Sequence, residues 1–316
     1  MNHHNNSDNN EKNIGLNNEG KLKTFLNKEI TNKRMDNRIL LDKVGRKLFS
    51  LSILFALTVL AILFYRIGAQ SIGWLDLQFL TSNLSIFPEK AGIYGVIIGS
   101  FLLMAVVIPV TLILGISTAI YLEEYANKGR FQSFINVNIS NLAGVPSVIF
   151  GLLGLTVFGR LLNLGSSILA GGLTLSLLVL PIVVVAGQEA IRAVPGFLRD
   201  GAYAMGATKW TTVRTVVLPS ALPGILTGSI LAISRAIGET APLVVLGIPA
   251  LILRVPHSIM SDFTALPIQI YYWTLDTVLT PEYANLAAAT IVVLLVLLFL
   301  LNSVAIVIRN KYQRRY

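Results

Sequence analysis

Six long apolar runs constrain this chain more than any other feature of its sequence. Each holds about 20 residues or more, the length that an α-helix needs to cross the hydrocarbon core of a bilayer. With 54% hydrophobic and only 13% charged residues, the chain lacks the composition of a soluble globular protein. We predict an all-α membrane protein with six transmembrane helices, at Leu48–Ile67, Ile93–Tyr121, Ile135–Phe158, Ser166–Ala186, Leu222–Ile248 and Ala284–Ile308.

The third run is the most irregular of the six. It begins with polar residues and is interrupted by Pro146 and by several glycines. Broken helices of this kind are tolerated in membranes where they line a cavity or pack on neighbouring helices. The pattern therefore predicts a broken third span.

The basic residues indicate the orientation of the chain. Ten Lys and Arg precede Leu48, four lie between Gly187 and Ala221, and four follow Ile308. Cytoplasmic loops collect Lys and Arg, so we expect both termini to be cytoplasmic. The basic residues form no dense stripe with interleaved aromatic residues, which argues against nucleic-acid binding and leaves the lipid bilayer as the surrounding medium.

Composition divides the chain into four parts. Residues 1–47 form a polar, Asn-rich segment that cannot bury enough apolar surface to fold alone, which predicts a disordered cytoplasmic tail. Residues 48–68 form the first transmembrane helix and 92–308 the core, which includes a polar loop at 197–219. Residues 309–316 form a basic cytoplasmic tail.

The sequence predicts no catalytic site, metal site or cofactor in this chain. It has no cysteine, two of its three histidines lie in the polar N-terminal segment, and the third, His257, is isolated. The spacing Gly15-x4-Gly20-Lys21 resembles a phosphate-binding loop, but Leu22 follows where a hydroxyl would be needed to bind Mg²⁺. Any ATP and Mg²⁺ chemistry must therefore belong to a partner.

The loop 197–219 carries a specific pattern. Asp200-Gly201-Ala202 is followed by Gly206, and the segment closes with Leu218-Pro219. This spacing resembles E-A-A-x3-G-x9-I-x-L-P, the cytoplasmic loop by which permeases of ABC importers dock on their ATPase. We predict a helix from Pro195 to about Met205, a break at Gly206 and a second helix that ends near Pro219. A membrane-surface connector without a partner is the alternative interpretation.

Charged residues within the fifth apolar run form the second pattern, Ser234-Arg235-Ala-Ile-Gly-Glu239-Thr240-Ala-Pro242. Arg235 lies 13 residues beyond Leu222, about 20 Å along a helix, where an unpaired charge costs about 2.5–3.5 kcal/mol. Glu239 follows four residues later and shares its helix face. Glycines on the same stripe, Gly224 and Gly228, would let another helix or a water-filled path approach.

This pair supports two interpretations, a structural ion pair between helices or a substrate path. The planar fork of Arg235 can donate two parallel hydrogen bonds to an oxyanion. Glu239 either holds Arg235 when the path is empty or accepts a hydrogen bond from a protonated oxyanion. Phosphate carries such a proton near neutral pH and sulfate does not, so a buried acceptor would favour phosphate.

Two segments resemble the permeases of the phosphate-specific ABC importer, particularly those of PstA type. One is Ser-Arg-Ala-Ile-Gly-Glu-Thr-Ala-Pro at 234–242, and the other is Asn-Leu-Ala-Gly-Val-Pro-Ser-Val-Ile-Phe-Gly at 141–151. The resemblance implies a type I ABC importer permease fold in a bacterial inner (plasma) membrane. It implies a substrate path at Ser234, Arg235, Glu239 and Thr240, and an ATPase-coupling surface at Asp200, Gly201, Ala202, Gly206, Leu218 and Pro219.

The resemblance also implies partners. They are a homologous permease of PstC type, two ATPase subunits of PstB type and an extracytoplasmic phosphate-binding protein of PstS type. The pattern Gly95-x3-Gly99 offers a close helix contact for assembly with the second permease. The sequence is also compatible with two other functions: a type I permease for molybdate, sulfate or phosphonate, and a secondary transporter driven by an ion gradient.

Overall fold

The structure is a computed structural model that describes residues 35, 39, 41–127, 129–252 and 254–312. Most of the 1–47 tail, including the Gly15–Lys21 stretch, and the last four residues of the 309–316 tail lie outside the described part. The chain divides into two compact units, Met1–Arg66 and Ile67–Tyr316. Within the described ranges it is mostly helical and contains no β-strand, only an isolated bridge between Ser167 and Asp262.

Twelve α-helices are numbered here in chain order over the described residues. They are α1 Leu41–Ser71, α2 Leu77–Thr81, α3 Tyr94–Ile120, α4 Arg130–Leu142, α5 Ser147–Leu153, α6 Ile168–Arg192, α7 Gly196–Ala204, α8 Lys209–Thr212, α9 Leu218–Ile237, α10 Ala241–Leu246, α11 Leu266–Asp276 and α12 Tyr283–Tyr312. Three π-helical segments extend or join them: Tyr121–Tyr125 after α3, Gly154–Leu161 after α5 and Val213–Val217 between α8 and α9.

Five helical segments are long and apolar enough to cross a membrane, or six if the bent third span is counted. The five are Leu41–Ser71, Tyr94–Tyr125, Ile168–Arg192, Lys209–Ile237 and Tyr283–Lys311. The first reaches further back than its apolar run, so residues 41–47, which composition places in the tail, are helical.

The third span is broken, as its sequence predicts. Arg130–Leu142 and Ser147–Leu161 meet at an angle of 104°. Pro146 is the N-cap of α5, where its missing N–H costs no helical hydrogen bond. The second part holds only 15 residues, about 22 Å, which is less than the hydrocarbon thickness of a bilayer.

Helices α3 and α6 pack side by side and run in the same direction. A Cβ added to Gly115 would lie 2.7 Å from Val183 Cγ1, and one added to Gly187 would lie 2.8 Å from Ala119 Cβ. The two contacts progress together along both helices, which fixes the parallel direction. Small residues therefore let the two backbones approach closely.

Helix α9 packs against α6 in the opposite direction, and this contact uses Gly224 and Gly228, which we expected to admit another helix or a water-filled path. A Cβ on Gly224 would lie 2.8 Å from Ala190 Cβ, and one on Gly228 would clash with Ala186. The other helix that these glycines admit is thus α6 of the same chain, not a water-filled path.

The pattern Gly95-x3-Gly99 is likewise used within the chain, which corrects its assignment to a contact with a second permease. A Cβ on Gly99 would clash with the backbone carbonyl of Thr264 and lie 3.6 Å from Phe263 Cβ. Phe263 is completely buried. The segment after α10 therefore inserts into the bundle, and a helix too short to predict as a span, α11, follows it.

Hydrogen bonds fix this inserted segment. The Ser100 hydroxyl accepts from the backbone N–H of Leu266 at 2.8 Å and so holds the first residue of α11.

A hydrogen bond also shows the direction of α12. The Tyr283 hydroxyl, at the start of α12, donates to the carbonyl of Ile86, which precedes α3. Helix α12 thus begins at the same end of the bundle as α3. Its far end and the ends of α3 and α6 lie on the side that carries α7.

Candidate functional site: a coupling segment and an intramembrane ion pair

The predicted coupling segment, residues 197–219, starts within α7, and its predicted break at Gly206 is confirmed. Gly206 adopts a φ of 81°, the left-handed region that favours glycine. Its N–H donates to the carbonyl of Tyr203, and the N–H of Ala207 donates to the carbonyl of Ala202. These two bonds form a Schellman motif, which satisfies carbonyls at the end of α7 and fixes the direction of the chain.

The second half of the segment differs from the prediction. The helix that begins at Lys209 does not end near Pro219 but continues without interruption to Ile237. The π-helical turn Val213–Val217 lies directly before Leu218-Pro219, so Pro219 occupies the first turn of a new α-helical stretch. A proline is tolerated at that position because the N–H it lacks has no α-helical partner.

The predicted coupling residues divide into an outer and an inner group. Asp200, Gly201 and Gly206 are exposed, and Ala202 is half-buried. Leu218 and Pro219 are half-buried, and Leu218 packs on an apolar cluster formed by the ends of α3 and α6 together with α9. The outer group can contact a partner, whereas Leu218 seats the segment on the bundle.

Large apolar side chains that the sequence pattern does not include also project from this segment. Phe197 is 71% exposed, Met205 89% and Trp210 59%. Aromatic and Met side chains are enriched where one protein contacts another, so these three residues suit a surface that a partner covers. Their exposure depends on the angle between α7 and α8, which the spacing of the motif alone does not give.

The intramembrane motif lies at a break between two helices, which corrects the prediction of one span over Leu222–Ile248. Helix α9 ends at Ile237, and α10 begins at Ala241. Gly238, Glu239 and Thr240 form the connection. The apolar run continues through the break because α10 is itself apolar, so hydropathy cannot detect the interruption.

Arg235 and Glu239 form an ion pair across this break. Arg235 Nε donates to Glu239 Oε1 at 3.1 Å. The Arg235 side chain is 55% exposed and that of Glu239 is 17% exposed. Arg235 shares the uncovered side of α9 with Leu231, which is 68% exposed. The guanidinium can therefore still bind a group that approaches that face.

The other two predicted path residues have different surroundings. The Ser234 hydroxyl lies 2.7 Å from the carbonyl of Ile230 and 2.6 Å from Asn302 Oδ1 of α12. It therefore connects two helices of the chain. Thr240 is half-buried, and its carbonyl accepts from the N–H groups of Leu243 and Val244, which starts α10.

The two segments that carry the sequence resemblance meet at this break. A Cβ on Gly151 would lie 2.8 Å from Pro242 Cα and 2.8 Å from its carbonyl oxygen. Glycine at 151 therefore permits backbone contact between α5 and the residues that follow Glu239. Helix α5 therefore packs against the start of α10, just after the break that follows α9, although 91 positions separate Gly151 and Pro242.

The described residues include no group of three or more His, Cys, Asp or Glu placed to hold a metal ion. The site contains the guanidinium of Arg235, the neighbouring carboxylate of Glu239, and the closely packed backbones of Gly151 and Pro242. Such an arrangement can bind or guide an anion.

Comparison with known proteins identifies the family. Residues 111–315 match the family model of the binding-protein-dependent transport system inner membrane component. The chain is 34% identical over 291 residues to the phosphate transport system permease protein PstA 1 of Mycobacterium tuberculosis, covering 87% of this chain and 90% of that protein. It is 35% identical over 207 residues to the probable ABC transporter permease protein YqgI of Bacillus subtilis, covering 66% and 70%.

A solved structure supports the fold. A chain of the MetNI methionine ABC transporter, in an inward-facing conformation, superposes with a TM-score of 0.57 at 18% identity. The match covers 70% of this chain and 98% of the transporter chain. The protein is therefore a multi-pass membrane protein that belongs to the family of binding-protein-dependent transport system inner membrane components, the permeases of ABC importers.

Proposed function

We propose that this chain is the membrane permease subunit of an ATP-driven importer of inorganic phosphate. The observation that carries the proposal is the match over most of the chain to permeases named for phosphate transport. The ion pair Arg235–Glu239, at a helix break on an uncovered face, supplies chemistry that suits an oxyanion.

The chain would supply half of the translocation path, and a homologous permease of PstC type would supply the other half. One observation favours this arrangement. Arg235 and Leu231 lie on a side of α9 that stays largely exposed among the described residues of the second unit. Glu239 accepts one N–H of Arg235, and the other guanidinium N–H groups need further partners or water. A second permease would provide both a wall and a hydrated path.

ATP hydrolysis would belong to two ATPase subunits of PstB type that dock on α7. The chain itself would bind neither ATP nor Mg²⁺. Closure of the ATPases on ATP would move the exposed turn between α7 and α8, and the bundle would open toward a phosphate-binding protein of PstS type. Release of ADP would reverse the movement.

In a bacterial plasma membrane, the side of the bundle that carries α7 would be cytoplasmic. The end of α12 lies on that side, and Arg309 and Lys311 there follow the rule that cytoplasmic ends are basic. Six crossings, with the bent third span counted as one, would then place both termini in the cytoplasm.

The proposal is tested by purifying the chain from its native membrane and measuring anion-stimulated ATP hydrolysis. We expect a nucleotide-binding subunit to copurify and phosphate, delivered on the binding protein, to stimulate hydrolysis. Stimulation by sulfate, molybdate or a phosphonate instead would identify a permease for another oxyanion. Transport driven by an ion gradient without ATP would reject the ABC mechanism.

A further inference from the structure

Three consecutive residues at the end of α3 contact the end of α6 and two helices of the coupling segment, α7 and α8. Glu123, Glu124 and Tyr125 belong to the π-helical segment Tyr121–Tyr125. Side chains of consecutive residues in a helical turn point in clearly different directions, so each of the three meets a different neighbour. Their partners are basic residues at the end of α6, within α7 and at the start of α8.

The central contact is the most buried. Arg199 of α7 donates from Nε and Nη2 to Glu124 Oε1, at 3.1 and 3.0 Å. The Arg199 side chain is 21% exposed and that of Glu124 is 8% exposed. A pair this sheltered from water is screened far less than a surface ion pair.

Arg199 also binds the end of α6. Its Nη1 donates to the carbonyl of Val194 at 2.7 Å, and its Nη2 donates to the carbonyl of Ile191 at 2.9 Å. The carbonyl of Ile191 lies in the last turn of α6 and also accepts the N–H of Val194, whereas the carbonyl of Val194 lies beyond the end of the helix. One guanidinium thus joins α3, α6 and α7.

The two outer contacts are more exposed. Arg192 at the end of α6 donates from Nη2 to Glu123 Oε1 at 2.6 Å. It also pairs with Glu189 of α6, and the side chains of Arg192 and Glu189 are both largely exposed. Lys209 at the start of α8 lies 5.1 Å from the centroid of the Tyr125 ring, within the range of a cation–π contact. They flank the central pair on both sides.

A fourth contact holds the π-helical segment itself. Gln132 of α4 donates from Nε2 to the carbonyl of Leu122 at 2.6 Å. The end of α3 is therefore held from two sides, by α4 on one side and by α6, α7 and α8 on the other.

We propose that Glu124 and Arg199 are positioning residues that transmit the movement of the docked coupling helix to α3. Helix α3 packs closely along α6 through Gly115 and Gly187. A displacement of α7 that pulls on Glu124 would therefore reach the bundle through a continuous contact. This inference rests on the proposed function and names the polar linkage through which the coupling acts.

The test uses the complete transporter in vesicles and measures phosphate delivered per ATP hydrolysed. Glu124→Gln keeps the shape of the side chain but leaves Arg199 without its charge partner. We expect the transport ratio to fall about tenfold while the ATPase subunits stay bound and hydrolysis continues within about twofold of wild type. A merely structural role would lower the amount of complex without changing the ratio.

Arg199→Lys serves as the second variant, since it keeps the positive charge and is less disruptive to folding. An ammonium cannot reach Glu124 and both carbonyls in the same planar geometry, so we expect a partial loss of the ratio. Arg254→Gln is the control, because Arg254 is exposed and has no ion pair within the described ranges. It should keep the wild-type ratio.

An unchanged ratio of phosphate delivered to ATP hydrolysed in Glu124→Gln would overturn the inference. If Glu124→Gln does not accumulate in the membrane, an unchanged ratio in Arg199→Lys would overturn it instead. Loss of the ATPase subunits from Glu124→Gln would assign the pair to docking rather than transmission and would also overturn it. The proposed function fails separately, if the wild-type complex shows no phosphate-dependent hydrolysis.

Discussion

Arg235 combines a full charge with a largely apolar setting. Its pair with Glu239 is local, because the two residues are four positions apart and the helix ends between them. A local pair lowers the cost of placing the charge in a membrane without tying Arg235 to another helix of the chain. Under the proposed function, the guanidinium would exchange this partner for an incoming anion.

We predict that Arg235→Ala lowers phosphate uptake by about 100-fold or more, because two charge-assisted hydrogen bonds to the anion are lost. Arg235→Lys should restore uptake only in part, since an ammonium keeps the charge but lacks the planar fork. Uptake and membrane abundance are to be measured together in vesicles.

The double variant Arg235→Ala/Glu239→Gln separates transport from structural pairing. It removes both charges, so it should insert at least as well as Arg235→Ala while still failing to transport. Full uptake by the double variant would show that the two residues form only a structural pair, and the assignment of the path would then be wrong.

At the scale of elements, the Schellman motif at Gly206 sets the angle between α7 and α8. No atom lies within 4 Å of the Cβ that a substitution would add, so space is not the constraint. The constraint is the backbone, whose φ of 81° disfavours residues with a side chain, β-branched ones most of all.

We predict that Gly206→Val leaves the protein inserted but uncouples ATP hydrolysis from transport, because the valine would turn the chain out of the left-handed conformation at a cost of about 1–2 kcal/mol or more. Gly206→Asn should retain much of the coupling, since asparagine tolerates this region. Gly196→Ala, in α7 with no unusual φ and open space around it, is the control. Normal uptake by a stably expressed Gly206→Val complex would contradict this role.

Local patterns predicted the elements that depend on local chemistry. The length of the apolar runs predicted the membrane spans. Pro146 predicted the break in the third span, and Gly206 predicted the break in the coupling segment. The end of α9 was not predicted because α10 is as apolar as the helix before it. The continuation through Pro219 was not predicted because a proline is also compatible with the first turn of a helix.

Contacts between distant residues were beyond the sequence. Arg199 and Glu124 are 75 positions apart, and nothing in their spacing pairs them. The assignment of the pair Gly95 and Gly99 to a second subunit failed for a related reason. A Gly-x3-Gly pattern predicts a close approach but not which segment approaches, and at Gly99 it is the chain's own Thr264.

At the scale of the whole molecule, the uncovered side of α9 is the surface on which we expect the second permease. The chain has no cysteine, so one introduced cysteine reports a single position. Leu231 is 68% exposed on that side, and its neighbour Ala232 is 1% exposed on the buried side.

We predict that a cysteine at Leu231 crosslinks to a homologous permease of PstC type, whereas one at Ala232 does not. The mass of the intact complex should show one copy of each permease and two ATPase subunits. An active complex that contains only this permease, in one or two copies, would contradict the heterodimer. A crosslink at Ala232 would contradict the assigned surface.

The most direct test of the central claim is ATP-dependent uptake of labelled phosphate by vesicles that contain the complete complex. Excess unlabelled phosphate, sulfate or molybdate is added, each in a separate experiment, to the solution on the side from which phosphate is taken up. The proposed function predicts that uptake needs ATP and that only unlabelled phosphate abolishes it. Uptake without ATP, or equal competition by sulfate or molybdate, would contradict it.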